Sequence, residues 1–384
     1  MRGRRRTCHG PGGGGRRGRA GVARGGLLGY PDCTRRRDRR NTRVEKQHME
    51  REVEWVERED TGWQCKLCPQ HCVWNDRSPL GLCRVRGLVE GEPGLPGYGR
   101  CVSLSIDPIE KKPLYHFLPG SQILSTGPAG CNLRCDFCQN WTISQTDDTP
   151  TRYVSPEDLA DLAFREGSRG VAFTYTEPTI WFEYIADVAP LVRERGGSVV
   201  MVSNGYVNPR PLERYLEITD AWNVDLKAWT ERFYKERCSG YRDPVFDNIA
   251  RIGESDCHLE LTFLVIPGEN DDPEEWKSTA SWLAENAGPK TVLHISRYFP
   301  SYRLQRPSTP VEKLRQAKEV FSEVLEYVYL GNVHFEQADT LCSSCGQVLV
   351  NRSGYRVRVS GVSDEGRCTS CGEPVPLVTD VGKG

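Results

Sequence analysis

Three cysteines stand in the stretch Cys131-Asn-Leu-Arg-Cys135-Asp-Phe-Cys138-Gln-Asn, spaced C-x3-C-x2-C. A hydrophobic run, Ile123 to Thr126, and a turn, Gly127-Pro-Ala-Gly130, come just before them. Three thiolates on one short loop can hold three corners of an iron–sulfur cube, whereas a 4Fe–4S cluster normally takes four cysteines. No fourth ligand lies nearby in the sequence, so the spacing predicts one iron left open for something else. Half of a zinc site is the alternative, but zinc knuckles are C-x2-C pairs that recur in pairs.

Two further cysteine groups flank this loop. Cys65, Cys68, Cys72 and Cys83 follow the spacing C-x2-C-x3-C-x10-C in a Pro-rich, polar stretch, which predicts a loop stapled by one metal site rather than a helix. Zinc there would be structural. The same spacing allows an iron–sulfur cluster, so the metal stays open. His71 lies inside the group and is expected to be a loop residue, because four thiolates already close the site. Near the end, Cys342, Cys345, Cys368 and Cys371 form two C-x2-C-Gly knuckles with 22 residues between the pairs. Alternating stretches at 347–350 and 355–359 predict a hairpin between them, and the whole fits a zinc ribbon. It is expected to staple a small appendage or to grip a partner protein.

These groups need a scaffold. From 122 to 333 strand and helix signals alternate. Strands are predicted at 122–127, 170–175, 198–203, 221–226, 259–266, 291–297 and 327–331, and a further one at 102–106 from its alternation. Helices are predicted at Pro156–Arg165 with Ser155 as cap, Ile180–Arg195, Arg210–Glu217, Pro273–Ala287 with Asp271 or Asp272 as cap, and Val311–Tyr327. Pro in the first turn after Ser, Thr or Asp marks such starts. Repeated β-then-α units predict a parallel α/β sheet, here a partial or full (β/α) barrel. In barrels the chemistry sits at the C-terminal strand ends. Those ends carry Thr174 to Thr179, Ser203-Asn204-Gly205, Asp225-Leu-Lys227, and His294, Ser296 and Arg297, which predicts a single polar site on one rim. The charged and aromatic loop Asp107 to Gly120, ahead of the first core strand, is expected to be a substrate entrance or a packed connector.

Composition bounds the rest. The chain has 384 residues and a formal charge of −1, yet residues 1–46 carry 15 Lys and Arg against 3 Asp and Glu. The body is therefore acidic, which argues against general nucleic-acid binding. The Arg/Gly-rich start, 1–50, is read as a disordered arm or a translated upstream extension in preference to an RNA-binding or targeting arm, and Cys8 and Cys33 are given no role. No apolar run approaches the about 20 residues of a membrane span. Sixteen cysteines without an apolar leader point to metal sites in a reducing, cytoplasmic setting rather than to disulfides. The expected organisation is thus the basic arm at 1–50, the four-cysteine segment and connector at 51–118, the barrel at 119–336 and the ribbon-like domain at 337–384.

A C-x3-C-x2-C loop after the first barrel strand, with Phe137 before the third cysteine, resembles the radical SAM superfamily. Further stretches, Asp107-Pro-Ile-Glu-Lys-Lys-Pro-Leu-Tyr-His-Phe-Leu-Pro-Gly, Cys138-Gln-Asn-Trp, Tyr175-Thr-Glu-Pro-Thr, Ser203-Asn-Gly, Asn223-Val-Asp-Leu-Lys and Gly331-Asn-Val, are similar to the radical SAM enzymes of the AmmeMemoRadiSam system. That group is related to pyruvate formate-lyase activating enzyme. The resemblance covers roughly residues 60–380, both outer cysteine groups included.

The resemblance implies that Cys131, Cys135 and Cys138 bind a 4Fe–4S cluster whose open iron chelates S-adenosylmethionine. Reductive cleavage then gives methionine and a 5′-deoxyadenosyl radical that abstracts hydrogen from an unidentified substrate, the protein positioning the cofactor. It implies Glu177, Asn204, Asp225, Lys227 and His294 as cofactor contacts, Lys227 toward the carboxylate. Tyr175-Thr176 stand where activating enzymes often have two glycines, and Val202 stands where they often have Asp. It also implies an electron donor such as flavodoxin or ferredoxin, and Memo-like and Amme-like partner proteins. A narrower reading is a glycyl-radical activating enzyme acting on a partner protein. A non-catalytic iron–sulfur or zinc scaffold, or a redox sensor, is the reading from a different class.

Overall fold

The computed structural model describes residues 51–333 and 338–380. The basic arm, with Cys8 and Cys33, lies outside the described residues, as does the expected barrel–ribbon boundary near 336.

Nine strands form one sheet. Seven run parallel: β7 (Gln122–Pro128), β9 (Gly170–Phe173), β10 (Ser198–Ser203), β11 (Ala221–Leu226), β12 (His258–Val265), β13 (Val292–Arg297) and β14 (Tyr327–Gly331). Against β7 lies antiparallel β6 (Arg100–Pro108), and against β6 the short β8 (Arg152–Tyr153). The order is β14-β13-β12-β11-β10-β9-β7-β6-β8, so β14 and β8 are open edges and the expected partial barrel is the architecture observed. The sheet takes in Arg100–Pro108, ahead of residue 119.

The helices follow their signals. Helix α1 (Pro156–Arg165) starts at Ser155, whose hydroxyl accepts from Asp158 N at 3.1 Å, a cap of about 1 kcal/mol. Helices α2 (Phe182–Arg193) and α3 (Pro209–Ile218) come next. Helix α4 (Asp243–Gly253) was not expected, although Pro244 at its second position was a usable start signal. For α5 (Pro273–Asn286) the cap is Asp272, whose carboxylate accepts from Glu274 N, while Asp271 accepts from Gly268 N in the loop before. Helix α6 (Val311–Ser322) ends earlier than predicted, because Tyr327 is taken by β14.

The loop 109–120 joins the end of β6 to the start of β7, so it lies at the N-terminal ends of the parallel strands. Ile109, Leu114, Phe117 and Leu118 pack there on Ile123, Ala172, Val200 and Ala221, each within the first three residues of its strand. The loop is therefore the packed connector of the two alternatives. It is a floor, not a mouth. Glu260 anchors it, accepting from Tyr115 N at 2.9 Å and His116 N at 2.7 Å.

The last segment packs under this floor. Strands β15 (Thr340–Leu341), β16 (Val348–Ser353) and β17 (Arg356–Val359) form a small antiparallel sheet, the expected hairpin with one extra strand. Leu118 N donates to Val378 O at 2.7 Å and Val378 N to His116 O at 2.8 Å. At the other end β1 (Val56–Glu59), β2 (Gly62–Cys65) and β3 (Val73–Trp74) make a small meander, followed by the ribbon β4 (Gly87–Val89) and β5 (Glu92–Gly94).

Candidate active site at the cysteine rim

Strand β7 delivers the Cys131–Cys138 loop to the C-terminal rim. Short polar bonds fix its sulfurs. Leu133 N donates to Cys131 Sγ at 3.4 Å, Asn204 Nδ2 lies 3.7 Å from the same sulfur, and Cys138 Sγ is 3.2 Å from Ser144 Oγ. Burial raises the Cys131 and Cys138 thiols above the ordinary range. Cys135 is raised first by its hydrogen bond with Cys238, then by burial. Such thiols keep their protons until a cation replaces them.

All fourteen described cysteines are free. Among the described residues, the group whose sulfurs all lie within 4.8 Å of one another is Cys342, Cys345, Cys368 and Cys371. There Cys342 and Cys371 are 3.6 Å apart, Cys345 and Cys368 3.7 Å, close to the about 3.8 Å edge of a zinc tetrahedron with Zn–S near 2.3 Å. The rim loop is not drawn together in that way. Three sulfurs held apart on one loop fit the corners of a cube, not a single ion, so the donor set present suits a 4Fe–4S cluster.

The five strand-end residues divide into three kinds. Glu177 is enclosed. Its Oε1 accepts from Thr179 N at 2.9 Å, Thr179 Oγ1 at 2.7 Å and Ser203 Oγ at 2.7 Å, and its Oε2 from Asn204 N at 2.7 Å. Burial nonetheless raises its carboxyl. Glu177 thus ties the end of β9 to the end of β10, with its lone pairs largely spent. Asn204 carries that tie to the cluster loop, donating to Asn132 Oδ1 at 2.9 Å. Asp225 and Lys227 are the open pair, 2.9 Å apart, with the Asp225 side chain 39% exposed. Burial opposes the Lys227 charge, but Asp225 and the sulfurs of Cys135 and Cys238 outweigh it and push its pKa up.

His294 is placed differently. Its Nε2 sits 2.6 Å from Glu260 Oε2, and its ring lies against Tyr115 and Tyr329. At 2% exposure it belongs to the floor network with Glu260 and His258, away from the rim where the sequence placed it. His294 is the third of the six residues of β13, at mid-strand and short of the end that carries Ser296 and Arg297.

Sequence reasoning missed one contributor and gave a second, which it had named, no role. Cys238 ends a π-type turn, Tyr234–Cys238, capped by left-handed Ser239. Arg134 N donates to Cys238 O at 2.8 Å and Asp136 N to Arg237 O at 2.9 Å, so this turn is stitched to the cluster loop and its thiol meets Cys135. Nothing in the spacing of a lone cysteine signalled this. Tyr175 is the second. Its φ is +70°, a conformation that favours glycine, where activating enzymes often have glycine. Asn140 Nδ2 of the cluster loop holds its carbonyl at 2.6 Å, and its hydroxyl donates to Asp107 Oδ2 at 2.8 Å inside the barrel.

Residues 127–283 match the radical SAM superfamily. Over 326 residues the chain is 37% identical to an uncharacterized protein of Methanocaldococcus jannaschii, MJ0808, covering 83% of this chain and 97% of that one. The chain belongs to the radical SAM superfamily. It is also 24% identical over 156 residues to the pyruvate formate-lyase-activating enzyme of Listeria monocytogenes, covering 38% of this chain and 63% of that enzyme. A domain of pyruvate-formate lyase-activating enzyme from Bacteroides vulgatus superposes with a TM-score of 0.38 at 20% identity, covering 42% of this chain and 99% of that domain. This radical SAM protein has no helix, among its described residues, that is long and apolar enough to cross a membrane.

Proposed function

We propose that the chain is an enzyme that cleaves S-adenosylmethionine reductively at a 4Fe–4S cluster held by Cys131, Cys135 and Cys138. One observation carries the reading: the three spread sulfurs of the Cys131–Cys138 loop share a rim with the open Asp225–Lys227 pair, and the Cys238 thiol beside them is spent on Cys135. The cluster, when bound, supplies the electron that breaks the sulfonium C–S bond. The residues do the rest. Lys227 offers an ammonium group beside the sulfurs, matched to a carboxylate. Asp225 orients it. Glu177 and Asn204 hold the strand ends and the cysteine loop in register. Tyr175 narrows that lumen from above.

The motifs of the AmmeMemoRadiSam type support a role in that system, with Memo-like and Amme-like proteins as partners and flavodoxin or ferredoxin as donor in a reducing cytoplasm. The relatedness to activating enzymes supports a second reading, hydrogen abstraction from a glycine of a partner protein. Anaerobically reconstituted, reduced protein is expected to convert S-adenosylmethionine to 5′-deoxyadenosine, and Cys135→Ala to abolish this. Full cluster content without that product would refute the proposal. A glycyl doublet in the electron paramagnetic resonance spectrum of a partner would decide for the second reading.

A further inference from the structure

The N-terminal quartet differs from the C-terminal one in three respects. Its sulfurs are not gathered as closely as those of Cys342, Cys345, Cys368 and Cys371, which meet like ligands of one ion. Instead Cys65, Cys68, Cys72 and Cys83 line one small cavity together with Trp74 and Arg86. Two buried donors on the wall of that cavity, Trp74 Nε1 and Arg86 Nε, have no hydrogen-bond partner. Both side chains are at or below 1% exposure, and orphaned buried donors of this kind are costly. The rest of the Arg86 guanidinium is satisfied, by Glu183 Oε2 at 2.5 Å and by Glu54 O. Thiolates held by any metal can accept from these two donors. The wider spread of the four sulfurs is what points to a cube in place of a lone zinc ion, and the cube's inorganic sulfides add further acceptors.

The cavity also touches the rim site. Asn132, between Cys131 and Leu133, is part of its wall. Gln70 Nε2 donates to Asn132 O at 2.8 Å, and Arg134 donates to Leu82 O. Gly130, at φ +129°, lies so close to Cys83 that an added Cβ would stand 2.0 Å from the Cys83 carbonyl oxygen. The two cysteine loops are therefore pressed against each other, backbone to backbone.

We propose that Cys65, Cys68, Cys72 and Cys83 hold a second iron–sulfur cluster that relays electrons to the cluster at Cys131, Cys135 and Cys138. One electron enters from a low-potential one-electron donor, reduces the second cluster, and passes across the Cys83–Gly130 contact. The second cluster returns to its oxidised state as the first becomes reduced. The proposal rests on the radical SAM reading for the acceptor, and not on the identity of the substrate.

Anaerobic reconstitution of the full chain with iron and sulfide tests it. The wild type should hold about eight irons, and the Cys131→Ala/Cys135→Ala/Cys138→Ala variant about four with a reducible cluster still present. About four irons in the wild type and none in that variant, with zinc at the quartet, would overturn the proposal. Reduced with dithionite, the wild type should show spin coupling between two clusters that is absent from the triple variant. Two uncoupled clusters would overturn the relay. Trp74→Phe keeps every ligand and should lower the potential of the second cluster at unchanged iron content, whereas an unchanged potential would count against sulfide acceptors in the cavity. If both clusters load and couple but no 5′-deoxyadenosine forms, the proposed function fails and the relay stands.

Discussion

Cys238 belongs to no motif, yet its thiol meets a ligand that the motif defines. With Cys135 bound to iron, that sulfur can only accept, so Cys238 becomes a weak S–H donor to it. Hydrogen bonds to cluster sulfurs are one of the levers that set a cluster's potential. We expect Cys238→Ala to lower the midpoint potential of the rim cluster without loss of iron, as read by potentiometric titration. Unchanged potential would mean that the contact only packs. Cys238→Ser, which keeps a donor, should lie closer to the wild type.

Among the elements, the floor and the two cysteine loops make separate demands. Burial opposes the charge on Glu260, but His258 and His294 outweigh it and hold its carboxyl well below the ordinary 4.5. A depressed folded-state pKa gives stability that is present above about pH 4.5 and lost as the pH falls. Glu260→Gln should therefore cost roughly 2–3 kcal/mol at pH 7 and flatten the acid limb, as read by urea unfolding at pH 7 and pH 4. Gly130→Ala meets the Cys83 carbonyl and should part the two loops, so the variant is expected to fold with reduced iron content and a lower melting temperature.

Much of this level was readable from the chain. Ser155 and the prolines opening α1, α3 and α5 are local signals, and the structure honours them. The cysteine groups were visible because metal ligands need fixed spacing. Depth was not visible. Glu177 and His294 look alike in sequence, polar residues on lumen strands, but one ties strand ends at the rim and the other joins the floor. Only the register of β12 and β13 and the return of the 109–120 loop decide which is which. The partnership of Cys238 with Cys135 spans 103 residues and leaves no local trace.

Across the whole molecule, one rim carries the cysteine chemistry and the opposite floor is closed by the terminal sheet. Arg352 donates to Tyr115 O at 2.5 Å, His116 Nδ1 lies 3.1 Å from Pro376 O, and Lys290 pairs with Glu373 at 2.9 Å. Metal held by Cys342, Cys345, Cys368 and Cys371, whose sulfurs all lie within 4.8 Å of one another, would tie this sheet together, since metal binding of this kind contributes folding energy directly. Loss of its metal should loosen the floor before the rim. A chelator that removes zinc from the intact protein is expected to speed hydrogen exchange at Tyr115 and His116 while the rim cluster's spectrum survives. Simultaneous loss of both would show that the ends are not separable.

The π-type turn at Tyr234–Cys238 amounts to one surplus residue written into a helical turn. A residue more or less rotates whatever follows by about 100°. The sulfur at position 238 therefore owes its aim to a single insertion, a change that one codon can make or undo. A lineage that dropped it would keep every cluster ligand and every motif, and would carry a differently tuned centre behind an unaltered signature.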